Sequence, residues 1–221
     1  MDLLIENFFN IKIMSEAFPF LVRGLKTTLL LCVIVIPLGL IGGLLVALLT
    51  NIKIKIVYYT LIFVIDFFRA VPPLVLLIFI YSGLPFAGVE LSPLLAVCLS
   101  FFLNNSAYYA EIFRAGIDSI GVGQMHAARS TGLNYIQSMI YVILPQSIRN
   151  VLPDLLSNSL EVAKLTSIAS VVALQELLYS ADMARSITYN SSPIILAAGM
   201  YLVMLWPVVR ILSRLEHRVT E

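Results

Sequence analysis

Two pairs of opposite charges stand inside otherwise apolar stretches: Asp66 with Arg69, and Glu161 with Lys164. Each pair is three residues apart, which puts both side chains on one face of a helix. An acid and a base fixed side by side can grip a zwitterion, the cation toward a carboxylate and the acid toward an ammonium group. They can equally neutralise each other and serve only to set helix packing. Asp66 and Arg69 lie near one end of their stretch and fit the packing role. Glu161 and Lys164 lie nearer the middle of theirs, one turn before Thr166 and Ser167, and both readings stand for them. Glu161, Lys164, Thr166, Ser167 and Arg69 are the candidate ligand-facing set. No catalytic or metal-ligating residues emerge. There is no Gly-Lys pair for a phosphate loop, no His-Glu-x-x-His and no Cys-x-x-Cys. Cys32 and Cys98 sit in apolar runs and read as packing residues.

The elements that carry these charges must lie in a bilayer. Of 221 residues, 60% are hydrophobic and 12% charged, with a mean hydropathy of +0.96. A soluble domain carries about 25% charge, so a soluble enzyme and a disordered tail are excluded. The net charge of +1 implies no nucleic-acid partner. Residues 27–52, 70–89, 91–110 and 186–209 carry no charge at all, and a spanning helix needs roughly 20 apolar residues. The first run is too long for a signal-peptide core and lacks its basic flank, so it reads as uncleaved. Five spans are expected, at about 24–50, from 56 onward, 91–113, 153–175 and 193–212. Residues 1–20 read as interfacial. Gly39, Gly43 and Ala47 on the first span suit close helix approach. Pro72-Pro73 should break the second, because proline removes a donor and clashes with the preceding turn. Trp206 reads as an interfacial anchor.

Residues 114–149 are too polar to span and too rich in alanine and leucine for a slack linker. They read as two short helices joined at Gly132, the second ending near Leu144-Pro145. Ala127, Ala128 and Gly132 form a narrow ridge able to enter a groove on another protein. A polar loop is expected before Pro193. Lys53, Lys55, Arg114, Arg129, Arg149, Arg210, Arg214 and Arg218 fall on one side of such a bundle, against Lys12, Arg23, Lys26 and Arg185 on the other. Eight against four favours an outer N-terminus and a cytoplasmic C-terminus.

The segment from Gly123 through Gln124, His126, Ala127, Ala128 and Gly132 to Leu144-Pro145 resembles the EAA loop of ABC importer permeases. His126 stands where that loop's glutamate would be. The chain is most similar to the polar amino acid uptake family, through Phe68-Arg69-x-x-Pro72, through Ala107-Tyr108-x-Ala110-Glu111-x-Phe113-Arg114-x-Gly116-Ile117, and through Lys164-x-Thr166-Ser167. Pro73, Leu76 and Ser157 depart from its usual residues. The resemblance implies an all-α integral membrane protein of about five transmembrane helices plus a cytoplasmic coupling loop, one transmembrane domain over 1–221 in a bacterial inner membrane. It implies that ATPase subunits dock on Gln124, His126, Ala127, Ala128, Gly132, Leu144 and Pro145. Those partners would bind ATP and Mg, and this chain no cofactor. A second permease chain, identical or different, and a periplasmic or extracellular solute-binding protein would complete the system. A permease for another small polar solute, a gated channel and a membrane assembly subunit are the alternatives.

Overall fold

The computed structural model describes residues 6–52 and 54–220, with side chains through 214. Lys53 and the side chain of Arg218, which entered the charge reading, lie outside the described residues. Every regular element described is helical. In chain order they are α1 (Ile11–Thr50), α2 (Lys55–Ala70), α3 (Pro73–Ile78), α4 (Pro93–Asp118) and α5 (Val122–Ser130). There follow α6 (Tyr135–Ser138), α7 (Leu144–Asn150), α8 (Leu152–Leu165), α9 (Leu177–Thr188) and α10 (Ser192–Thr220). Among the described residues two helices are long and apolar enough to cross a bilayer, Glu6–Thr50 and Ser192–Arg214. Up to four spans result if Lys55–Ala70 with Pro73–Ala87 and Leu152–Val172 with Leu177–Thr188 each count as one. The expected third span lies on α4, where Asn104, Asn105 and Ser106 dilute the apolar run.

The first helix begins near residue 11 rather than 24, so Arg23 and Lys26 stand on a helix of 40 residues and not on a flank. The polar loop expected before Pro193 is mostly helix α9. Its Ser180, Ala181 and Ala184 face inward while Asp182 and Arg185 pair outside, and a loop reading missed that amphipathic division.

The helices distribute over two compact units, described separately here. One comprises residues 1–36, 73–101 and 160–211. Its core joins Ala17 and Leu21 of α1 to Leu177, Ala181 and Ala184 of α9 and Ala197 of α10. Gly24 of α1 lies so close to α9 that a Cβ there would meet the Glu176 carbonyl oxygen at 2.6 Å. Glu176 itself is fully buried. Its carboxylate caps α9, accepting from the Leu178 N–H at 2.8 Å and the Tyr179 N–H at 2.6 Å, and the Tyr201 hydroxyl donates to it at 3.1 Å. The Leu177 N–H donates to Thr28 Oγ1 at 3.1 Å. Each exposed donor of the helix start therefore finds an acceptor, as a helix end removed from water requires.

The other unit comprises residues 37–72, 102–159 and 212–221. Here the small residues of α1 do what their spacing suggested. A Cβ at Gly39 would meet the Tyr109 ring at 3.1 Å, and one at Gly43 would meet the Ala110 nitrogen at 2.8 Å. Ala47, fully buried, packs with Tyr109, Phe113, Val151 and Leu155. The Tyr109 hydroxyl donates to Ser159 Oγ at 2.8 Å, since Ser159 spends its own proton on the Leu155 carbonyl.

Candidate functional site: a docking stretch and two charge clusters

The stretch after α4 is a packed element. Ile117, Met139 and Ile143 form a small core, with Leu48, Met125 and Leu144 against it. Gly132 has φ +94°, the left-handed region open to glycine, and it joins the two short helices as its position suggested. Asn134 and Gln137 close a reciprocal cap on α6, each bond 2.9 Å. The second helix does not end at Leu144-Pro145. A π-turn over Met139–Ile143 widens the helix, and Pro145 enters α7 at its first turn, where its missing N–H costs least. The helix runs on to Asn150.

Within this stretch Gln124, His126, Ala127, Gly132 and Pro145 are exposed. Ala128 is only 6% exposed and turns into the chain, and Leu144 is half-buried. The small-residue ridge is therefore split between two faces, with Ala127 outward and Ala128 behind it.

Glu161 and Lys164 form an ion pair at 2.6 Å on α8, with side chains 60% and 53% exposed. They are paired, but they are not enclosed by their own unit. The Ser167 hydroxyl donates to the Lys164 carbonyl at 2.8 Å. Lys164 and Ser167 line an open cavity of about 550 Å³ whose other walls include Ala198, Tyr201, Leu205 and Trp206. Thr166 faces the opposite way, fully buried, and donates to the Ala163 carbonyl. Trp206, more than half exposed, has the Arg210 guanidinium over its ring at 5.9 Å.

Arg69 belongs to a different cluster. Its guanidinium lies 4.0 Å from both Asp66 and Glu111 and 5.7 Å from the centre of the Tyr108 ring. Glu111 is shared: Arg114 donates to it from Nη2 at 2.6 Å and Nε at 3.0 Å, and reaches on to Asp118 at 3.0 Å. Sequence reasoning missed Glu176, whose signal was a lone acid in an apolar run. It also missed Asn104, which no local pattern marks.

The chain belongs to the family of binding-protein-dependent transport system inner membrane components, whose profile matches residues 35–221. Within it the chain is a permease of the ATP-binding-cassette class, a transport subunit and not an enzyme, as the EAA-loop resemblance implied. It is 36% identical over 213 residues to the probable glutamine ABC transporter permease protein GlnM of Bacillus subtilis, covering 96% of this chain and 99% of that one. It is 39% identical over 178 residues to the probable amino-acid ABC transporter permease protein YckA of the same organism, covering 80% of this chain and 79% of the relative. A crystal structure of an amino acid ABC transporter with histidines superposes with a TM-score of 0.84 at 36% identity, over 93% of this chain and 96% of that chain. The inward-facing MetNI methionine ABC transporter, at 20% identity and a TM-score of 0.77, shares the fold.

Proposed function

We propose that the chain is the permease subunit of an importer for polar amino acids, one transmembrane domain over 1–221 with a coupling loop at about 114–149. The observation that carries the substrate reading is the exposed Glu161–Lys164 pair beside the Lys164–Ser167 cavity. A charge facing lipid at mid-bilayer costs at least ~2.5–3.5 kcal/mol. An ion pair left open on a membrane helix therefore faces a second chain or a water-filled path. The spacing of its charges suits the carboxylate and ammonium of an amino acid, and the relatives named for amino-acid transport support that substrate class. Thr166, turned inward, supports the wall from behind. Arg69, committed to Asp66, Glu111 and Tyr108, is a packing cation in this reading.

Five spans with an outer N-terminus and a cytoplasmic C-terminus accord with the eight-to-four bias of positive charge. Two permease chains, identical or different, frame one path in a bacterial inner membrane. A solute-binding protein delivers substrate from outside. ATPase subunits, which bind ATP and Mg, meet the exposed Gln124, His126, Ala127, Gly132 and Pro145, with Ala128 and Leu144 packing beneath. Closure of the ATPases then draws the two loops together and switches the side to which the path opens.

The test is reconstitution with the ATPase subunit and uptake of a panel of labelled amino acids. Substrate-stimulated ATP hydrolysis with uptake is expected, and ion conductance without ATP would overturn the reading. Gly132→Asp probes docking. Nothing lies within 4 Å of a Cβ at this site, but at φ +94° any side chain strains the backbone; Gly132→Ala is the control for that strain, and Gly132→Asp adds a charge on the docking face. The variant should insert in the membrane yet lose ATPase association, and full association would remove this surface from consideration.

A further inference from the structure

In a continuous helix the carbonyls of Phe68 and Arg69 accept from the amides of residues 72 and 73. Both of those residues are proline, so neither carbonyl has its helical donor. Two side chains of α4, one turn apart, supply the missing protons. Asn104 Nδ2 donates to the Phe68 carbonyl at 2.8 Å, and the Tyr108 hydroxyl donates to the Arg69 carbonyl at 3.2 Å. The match is one donor for each vacancy, in register along both helices. Asn104 is 1% exposed, and its Oδ1 has no hydrogen-bond partner among the described residues. A buried amide left half unsatisfied is costly in an apolar setting, so its use lies in the proton it gives to Phe68. One turn further along α4, Glu111 faces the Arg69 guanidinium and is gripped from the other side by Arg114, which reaches Asp118 at the end of the helix. Ser119 just beyond accepts from Asn150 Nδ2 at 3.0 Å, at the end of α7.

We infer that Asn104 and Tyr108 are positioning residues for transport: they clasp the proline-broken end of α2 to α4, so that a displacement of the docking stretch carried along α4 moves the end of α2 with it. The clasp lies wholly in one unit, and the chain leaves that unit at Pro73. The inference rests on the transport reading above but names residues that reading does not use. Asn104 and Tyr108 touch neither the Lys164–Ser167 cavity nor the exposed docking face.

The experiment uses the reconstituted complex with its ATPase. Tyr108→Phe removes the hydroxyl and keeps the ring over Arg69; Asn104→Leu replaces the amide with two methyl groups on the same branched skeleton; Asn104→Gln retains a donor. Amino acid taken up per ATP hydrolysed should fall about fivefold for each lost hydrogen bond, with substrate KM and ATPase association unchanged, and Asn104→Gln should keep most of the wild-type ratio. An unchanged ratio in Tyr108→Phe, or a raised KM at constant ratio, overturns the inference. Hydrogen exchange at residues 66–71 provides a readout independent of transport. Faster exchange there in Tyr108→Phe and Asn104→Leu is expected, and wild-type protection in both overturns the clasp. If wild-type complex drives no ATP-dependent uptake, the transport reading fails, while the exchange measurement still decides the clasp.

Discussion

The Glu161–Lys164 pair and the cluster around Arg69 begin from the same pattern, an acid and a base three residues apart in an apolar helix. They end differently because of what a neighbouring helix contributes. Arg69 meets Tyr108 and Glu111 from α4, and Glu111 carries the contact on to Arg114 and Asp118. Among the described residues, Lys164 pairs with Glu161 of its own helix and otherwise lines an open cavity. One acid–base pair is absorbed into packing and the other is left facing outward. Spacing along a helix states that two charges can meet; a second helix decides whether they are finished with one another.

The contrast can be broken most forcefully at Glu111. Glu111→Gln withdraws the charge shared by two arginines, each more than half covered, and should destabilise the complex by roughly 2 kcal/mol, the scale of a charge-assisted hydrogen bond in a partly buried site. A thermal unfolding midpoint in nanodiscs equal to wild type would show the cluster to be ornamental. Glu161→Gln should cost far less stability, because exposed pairs are worth ~0.2–1 kcal/mol. Its effect should appear in uptake, with basic amino acids losing more than neutral ones. A large loss of stability with unchanged selectivity would move this pair into the packing class. Asp66→Asn should do least. Asp66 is 66% exposed and 4.0 Å from an arginine that has other partners, so both stability and uptake should stay within error of wild type. A clear defect would mean that Arg69 depends on its nearest acid in sequence more than on α4.

What could be read from the chain alone followed from local chemistry. Pro72-Pro73 marks the break in the second apolar stretch, Gly132 the joint between the two short helices after α4, and Gly39, Gly43 and Ala47 a face for close approach. Residues far apart in sequence supplied what was not legible. The donors that make the proline break tolerable lie 36 and 39 positions downstream. The helix expected to end at Leu144-Pro145 runs on because Pro145 enters α7 at its first turn, just after a π-turn, where a missing N–H costs least. Helix α9 reads as a loop in the sequence because its inward face includes serine and alanine, and its cap, Glu176, is an acid in an apolar context. Ala128 was grouped with Ala127 on composition, although adjacent helical positions point about 100° apart.

Glu176 also has a consequence for how the protein is made. Thr28, which accepts from the Leu177 amide, precedes it by 149 residues, and Tyr201 follows Glu176 by 25. A chain emerging from the ribosome thus releases its first helix long before the carboxylate arrives, and the carboxylate waits again for Tyr201. Until the last helix is in place, a buried acid lacks one of its donors. Chains truncated between these two points should be less stable than the full chain, because the hydrogen bonds that hold α1, α9 and α10 together are completed only by the last helix.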